Sequence, residues 1–92
     1  MAIEFDPNKR ALTLANRGLD MADVEPLFET PNLTVSDDRT DYGEDRFITI
    51  GYLQGRMIIV VWTPRGSVRR IISMRKANER EQTLYGPDLE RS

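Results

Sequence analysis

The chain has 92 residues and a net charge of −2, because 13 Lys and Arg oppose 15 Asp and Glu, and it contains neither Cys nor His. Its length is that of one small domain, so we expect residues 1–92 to form a single domain. The absence of Cys and His excludes disulfides, zinc sites built on those residues, a Cys nucleophile and a Ser-His-Asp triad.

The N-terminal residues predict a short strand at residues 3–5 and then a helix. Asp6 is a good N-cap, and Pro7 suits the first helical position because an N–H there has no partner within the helix. The helix is predicted to run to about Arg17, where Gly18 can end it in a left-handed conformation. Its predicted apolar side consists of Ala11, Leu12, Leu14 and Ala15.

A second helix is predicted before Pro31. Three apolar residues at helical spacing indicate it, namely Val24, Leu27 and Phe28. Its N-cap is Asp20 or Asp23. Because Pro26 is unfavourable inside a helix, this helix either begins near Glu25 or bends there.

The C-terminal half changes to strand periodicity after a short strand at residues 33–35 and a polar loop at 36–45. Further strands are predicted at 47–52, 57–62 and 68–73, and the short turns between them imply an antiparallel meander. A last helix is predicted from about Met74 to Tyr85, ending at Gly86-Pro87. The fold class is therefore α+β, with two N-terminal helices packed on an antiparallel sheet and a C-terminal helix added.

Membrane and secretion signals are absent from these predicted elements. The longest apolar run, Met57 to Trp62, is much shorter than the roughly 18 residues that a membrane helix needs. The N-terminus lacks the basic and apolar regions of a signal peptide. We therefore expect a soluble cytoplasmic protein.

The small net charge hides two oppositely charged halves. Residues 1–45 carry four bases and eleven acids, a net −7, whereas residues 46–92 carry nine bases and four acids, a net +5. Within residues 46–80, eight bases oppose Glu79 alone, a net +7. Because charges are screened beyond about 8–10 Å, such a basic segment can bind phosphate whatever the charge of the whole chain.

Five bases of this segment lie before or within the first turn of the last predicted helix, namely Arg65, Arg69, Arg70, Arg75 and Lys76. The free N–H groups of a helix start, together with these cations, predict a phosphate site. The structural alternative is a solvated strand edge and helix face, whose cations are neutralised by the acidic half of the chain.

A protein without His can still cleave RNA if the 2′-OH of the substrate is the nucleophile. Arg would stabilise the crowded phosphorus centre with permanent, bidentate charge. Lys76 is a candidate acid or base, and Glu79 and Glu81 are candidate weak bases. Tyr85 either orients a base or leaving group or simply anchors the end of the helix.

Two further sets of residues have structural explanations. Trp62, Phe47 and Tyr52 can stack on bases, but Trp62 ends an apolar strand, so we expect core packing for it. The acids of residues 37–45 lack the spacing of an EF-hand and are interrupted by Arg39, so we expect a solvated loop. No metal or cofactor is expected.

Several short motifs, in their order and spacing, resemble the BrnT toxin family over about residues 3–85, which we take as the ordered core. In the first half the resemblance rests on residues 5–9, 16–18 and 28–31. In the second half it rests on residues 38–39, 42–46, 50–51, 60–63, 65–66 and 70–77, with Glu81 and Tyr85. The family usually has Lys-His where this chain has Asn16-Arg17, so Arg17 would be an electrostatic substitute. Met74 replaces a small residue.

The resemblance implies a RelE-like fold and a metal-independent ribonuclease toxin of a type II toxin–antitoxin system. It implies a cognate antitoxin, a small DNA-binding protein, and contact with DNA only through that antitoxin. It also implies a homodimer, or a heterotetramer with the antitoxin. With the charge pattern, it predicts the catalytic residues Arg70, Arg75, Lys76, Glu81 and Tyr85. The predicted RNA-binding residues are Lys9, Arg17, Arg46, Arg65, Arg69 and Arg80.

Two alternatives stay open from the sequence. The same basic face can belong to a non-catalytic RNA- or ribosome-binding module, or to a domain that binds an acidic protein. A cleavage assay separates the ribonuclease toxin from both alternatives. A tight protein complex does not, because a toxin also binds its antitoxin.

Overall fold

Five strands form one mixed sheet in the structure, a computed structural model that describes residues 2–90. They are β1 (Ala2–Phe5), β2 (Asn32–Ser36), β3 (Phe47–Leu53), β4 (Arg56–Arg65) and β5 (Val68–Lys76), in the spatial order β1-β5-β4-β3-β2. The α+β class and the antiparallel meander of β3, β4 and β5 are confirmed. The prediction of a wholly antiparallel sheet was wrong, because β1 pairs parallel with β5. The two strands are far apart in sequence, so no local pattern reveals this pairing.

The helices are α1 (Pro7–Arg17), α2 (Glu25–Glu29) and α3 (Glu79–Glu90), with a 3₁₀ turn at Met21–Asp23. The limits of α1 are as predicted: the Asp6 carboxylate accepts the N–H of Asn8 at 2.8 Å, and Gly18 ends the helix at a φ of 67°. The second helix begins at Glu25, which confirms the alternative of a start near Glu25 over a bend there. None of the described helices is long and apolar enough to cross a membrane.

The last helix begins later than predicted, because residues 74–76 continue β5. Met74, Arg75 and Lys76 pair with Val60, Ile59 and Ile58 of β4. These three residue types favour helices, but the ladder with a buried central strand outweighs that preference. The predicted end at Gly86-Pro87 was also wrong, since the helix continues to Glu90.

The apolar side predicted for α1 is exposed, because the helix packs only lightly on the sheet. No residue of α1 is buried, and Leu12 and Leu14 are 62% and 47% exposed. Polar contacts hold the helix instead: Arg10 makes a bidentate pair with Asp20 at 2.7 and 2.9 Å, and Arg17 donates to the carbonyl of Met74 at 2.8 Å.

Two cores lie on opposite faces of the sheet. The larger one, on the α2 face, contains Leu19, Met21, Val24, Leu27, Ile58, Val60, Trp62, Ile71 and Met74. The smaller one, on the α3 face, contains Ile50, Met57, Ile59, Ala77 and Leu89. Gly51 permits the close approach of α2, since a Cβ there would lie 3.1 Å from the side chain of Leu27.

A β-bulge interrupts β5 at Ile72. Val61 pairs with Ser73 and Trp62 with Ile71, so Ile72 has no partner on β4. The parallel pairing with β1 also ends at Ile71. The first half of β5 therefore lies between two strands, whereas the second half has an open edge that faces α1.

Candidate active site

A cleft of about 200 Å³ opens on the smaller-core face, between α3 and the sheet. Its floor is apolar and its rim carries two guanidinium groups, one carboxylate and two hydroxyls. The lining residues are Val35, Arg39, Ile48, Ile50, Ile59, Val61, Ser73, Arg75, Glu81 and Tyr85. Three of the predicted catalytic residues, Arg75, Glu81 and Tyr85, thus lie together.

Arg75 is fixed by a bidentate pair with Glu81. Its Nη1 and Nη2 atoms donate to the two carboxylate oxygens at 2.8 Å each. Glu81 also accepts the N–H of Asn78 at 2.9 Å, and the Asn78 side chain accepts the N–H of Glu81 at 2.8 Å, which forms a capping box. One carboxylate therefore both begins α3 and orients the guanidinium of β5.

The electrostatics keep this pair ionised. Hydrogen bonds from Arg75, and then from the backbone of Asn78, lower the pKa of Glu81 from 4.5 to about 2. The pKa of Arg75 is raised, first by its hydrogen bonds to Glu81, while the nearby charge of Arg39 opposes the increase. Glu81 is consequently a poor proton acceptor at neutral pH, and its geometry suits it to holding Arg75 in place.

Arg39 brings a second guanidinium to the cleft from the loop between β2 and β3. Its Nε and Nη2 atoms donate to Asp37 at 2.7 and 2.8 Å, and the Asp37 side chain is fully buried. The hydrogen bonds from Arg39 lower the pKa of Asp37 to about 2. The backbone N–H of Asp37 donates to the carbonyl of Arg46 at 2.8 Å and closes the loop.

Both guanidinium groups keep donors for a ligand. A guanidinium has five N–H donors, and the carboxylates of Glu81 and Asp37 each occupy two. Two oriented cations that line one cleft can attract an anionic group. Tyr85 and Ser73 add hydroxyls at the same cleft.

The other two predicted catalytic residues lie elsewhere. Arg70 shares the face of the cleft but stands five residues, roughly 15 Å, along β5 from Arg75, and donates to Glu4 at 2.9 Å. Lys76 is exposed next to Arg75 on β5, so strand alternation turns it to the opposite face. The premise that Arg75 and Lys76 begin a helix was wrong, because both belong to a strand.

The predicted RNA-binding residues are spread over the molecule. Lys9 and Arg17 line a groove between α1 and β5. Arg46 and Arg65 lie 3.4 and 3.7 Å from Glu44, so the acidic half of the chain does neutralise part of the basic segment. Arg80 is exposed in the first turn of α3.

Arg69 lies on the larger-core face, away from the cleft. Its guanidinium stacks over Phe28 at 4.2 Å and lies 5.0 Å from the ring of Trp62. Its Nε is buried without a hydrogen-bond partner among residues 2–90. The core role predicted for Trp62 is confirmed, since its indole is buried and donates to Thr49 at 2.8 Å.

The acidic loop forms a depression of its own, of about 390 Å³, lined by Asp37, Asp38, Asp41, Glu44 and Asp45 together with Ser36, Thr40, Tyr42 and Arg46. Five carboxylates repel a phosphate, which argues against this depression as an RNA site. Between residues 2 and 90, no group of three or more acidic side chains is arranged to hold a metal ion.

Arg39 is the cleft residue that sequence reasoning missed. The sequence places it among acids, so its charge looked cancelled, and only the folded loop shows that its guanidinium reaches the cleft. The start of α3, in contrast, had a local signal. Asn78 followed three residues later by Glu81 is the pattern of a capping box and indicates a helix that begins at Glu79.

Comparison with known protein families gives a match over most of the chain. The model of a family described as ribonuclease toxin, BrnT, of type II toxin–antitoxin system matches residues 5–81. The matched region includes Arg39, Arg75 and Glu81 of the cleft and ends before Tyr85. No curated protein matches the chain.

Proposed function

The chain belongs to the BrnT family of ribonuclease toxins of type II toxin–antitoxin systems, and from this premise we propose that it cleaves RNA in the cleft between α3 and the sheet. The observation that carries the proposal is the pair of oriented guanidinium groups, Arg39 and Arg75, on one small cleft. The proposal places the activity in a single cytoplasmic domain with a RelE-like fold. Superposition on an experimental RelE structure tests that fold.

The proposed reaction uses the 2′-OH of the substrate as nucleophile. The 2′-oxygen bonds to phosphorus as the bond from phosphorus to the 5′-oxygen breaks, which leaves a 2′,3′-cyclic phosphate and a 5′-hydroxyl. The 2′-OH proton passes to water, and Tyr85 donates a proton to the leaving 5′-oxygen. Arg39 and Arg75 stabilise the charge that develops on the other phosphate oxygens.

Glu81 is a positioning residue in this scheme. Its carboxylate is held by Arg75 and Asn78, and its pKa of about 2 makes it a weak base. The cleft therefore supplies charge stabilisation and a proton donor, without a strong base. General acid–base help is typically worth about 10²–10⁴-fold, so a slow nuclease is expected. Arg70 and Lys76 remain candidates for substrate contacts outside the cleft.

One observation favours a second candidate function. Among the residues that line the cleft, Glu81 carries the only carboxylate, and it is tied up in an ion pair. A non-catalytic RNA- or ribosome-binding module would need the guanidinium groups but no base. Such a module would bind RNA with an affinity that falls as salt rises and would leave it intact.

The deciding experiment is cleavage of single-stranded RNA by the purified chain in the presence of a chelator. We expect products that end in a 2′,3′-cyclic phosphate, no cleavage of the same oligonucleotide when it lacks its 2′-hydroxyls, and growth arrest on expression of the chain alone. Intact RNA together with normal growth would contradict the proposal, and salt-sensitive binding of that intact RNA would favour the second candidate.

The family also implies a partner. We propose that a small DNA-binding antitoxin binds the chain and covers the cleft, and that the toxin contacts DNA only through it. The complex would be a heterotetramer, or the toxin alone a homodimer. Co-expression of the adjacent reading frame should restore growth, and light scattering of the purified complex would give its stoichiometry.

A further inference from the structure

A groove of about 290 Å³ follows the open edge of β5, on the side of α1. It exists because β1 stops pairing at Ile71 and the bulge at Ile72 follows at once. Its lining residues are Lys9, Leu12, Thr13, Asn16, Arg17, Met21, Ile72 and Ser73. From Lys9 to Arg17 it follows α1 for about 12 Å.

The groove and the cleft meet at Ser73, which lines both. The cleft lies on the smaller-core face of the sheet and the groove lies beside α1, so the two depressions join over the open edge of β5. Ser73 is therefore the residue at which a chain bound in the cleft would reach the groove.

The charges of the groove differ from those of the cleft. Arg39 and Arg75 each pair with a carboxylate, whereas Lys9 and Arg17 form no ion pair with any residue from 2 to 90. No acid among residues 2–90 lines the groove. Arg17 uses one N–H on the carbonyl of Met74 and keeps the others. The groove is therefore a net cationic surface with hydroxyl and amide groups from Thr13 and Asn16.

From this continuity and charge we infer that the groove binds the RNA strand that flanks the phosphate held in the cleft. The inference rests on the proposed function. The substrate would then be a single strand that crosses the edge of β5 at Ser73, since positively charged grooves of this kind follow the backbone of single strands. The paired guanidinium groups would orient the reacting phosphate, and the unpaired cations would supply most of the salt-dependent affinity.

Lys9 gives the sharpest test, because it is exposed at the start of α1 and makes no ion pair with any of the described residues. Binding is measured with uncleavable 2′-O-methyl oligonucleotides, a trinucleotide and a strand of about ten nucleotides. The wild-type chain should favour the longer strand. Lys9→Ala should weaken binding of the longer strand several-fold and reduce its dependence of log affinity on log salt by about 0.7, the value for one phosphate contact on a single strand.

Arg56→Ala is the matched control. Arg56 is an exposed cation at the start of β4, in a different depression that also holds Asp20 and Asp23. If Lys9→Ala keeps the wild-type preference for the longer strand and its salt dependence, or if Arg56→Ala reduces them equally, the inference is overturned. Cleavage by the wild-type chain is measured separately, and intact RNA there would contradict the proposed function. The binding comparison would still show whether the groove binds RNA.

Discussion

Arg69 and Arg75 stand on the same strand, six residues apart, and their surroundings differ completely. Arg75 lies in the cleft, 45% exposed, with its guanidinium fixed by the two oxygens of Glu81. Arg69 lies on the other face, stacked on the aromatic rings of Phe28 and Trp62 with a buried Nε. Guanidinium groups that are close in sequence therefore have different surroundings, one on an open cleft and one over the core.

This difference shows what a cluster of bases can and cannot indicate. Strand alternation and the bulge distribute the basic residues of β5 between two faces and an edge. Glu4 then pairs with Arg70, and the single charge of Glu44 is shared by Arg46 and Arg65. A net charge of +7 in one segment is thus compatible with a small site and several structural arginines.

The largest expected effect comes from Arg75. Arg75→Ala removes one of two oriented donors at the phosphate, so RNA cleavage should fall by about 10²–10³-fold. Arg75→Lys keeps the charge but loses the bidentate geometry, and should recover only part of the rate. Single-turnover cleavage rates measure both, with Arg56→Ala as control and circular dichroism to show that each variant is folded. If Arg75→Ala cleaved RNA at the wild-type rate, the difference in role between Arg75 and Arg69 would be contradicted.

A smaller effect is expected from Glu81→Gln, about tenfold in cleavage rate. Gln still completes a capping box, so α3 should form, but its neutral amide has one acceptor oxygen and cannot form the bidentate ion pair with Arg75. Asn78→Ala is the matched variant, because it removes the cap and leaves the carboxylate beside Arg75. If the two variants lose equal activity and equal stability, Glu81 acts only through the start of the helix.

Glu81→Gln should also change how the stability of the chain depends on pH. The pKa of Glu81 lies near 2 in the folded chain and at about 4.5 without its partners. Its ionised form therefore stabilises the fold above pH 4.5, and this contribution is lost as the pH falls from 4.5 towards 2. The difference in Tm between wild type and Glu81→Gln should be constant from pH 5 to 8 and vanish near pH 2. A difference that persists at pH 2 would contradict the ion pair.

Arg69→Ala should affect stability and leave the chemistry of the cleft intact. Loss of its stacking on Phe28 and Trp62 should cost about 1–2 kcal/mol, which is a fall in Tm of roughly 5–15 °C for a chain of this size. Thermal unfolding measures the cost, and cleavage assayed well below Tm should match wild type. A large loss of activity with normal stability would place Arg69 in contact with RNA.

The smallest expected effect is that of Lys76→Ala. Lys76 is exposed and turned away from the cleft, and a single exposed charge is worth roughly 1 kcal/mol or less, so cleavage should fall less than about fivefold. Steady-state cleavage of one RNA by wild type and variant measures it. A loss as large as that of Arg75→Ala would show that the substrate contacts both faces of β5.

Local signals in the sequence were sufficient for part of the fold. Asp6, Pro7 and Gly18 mark the ends of α1, and the two-residue turn at Gln54 and Gly55, with φ of 52° and 77°, joins β3 and β4. These features depend on neighbouring residues only, so sequence reasoning finds them. Arg75 and Glu81, both predicted as catalytic residues, lie together in the cleft because only a short turn separates β5 from α3, and their catalytic role stays a prediction.

Long-range contacts account for what sequence reasoning missed. The pairing of Ala2–Phe5 with β5 joins residues 66 positions apart. The extension of β5 through Lys76 depends on the ladder with β4, which outweighs helix preference. Arg39 reaches the cleft only because the buried carboxylate of Asp37 holds it there. The strand partners lie far along the chain in the first two cases, whereas Asp37 is close to Arg39 in sequence and only the folded loop shows that it is buried.

The capping box at Asn78 also gives the site a dynamic property. The carboxylate that starts α3 is the one that orients Arg75, so fraying of the first helical turn and disassembly of the site are a single event. The buried residues of α3, Gly86 and Leu89, lie at its far end. Hydrogen exchange at the Asn78 amide would consequently report the fraction of molecules with an assembled site, and trimming Leu89 would lower activity from a distance by increasing local unfolding.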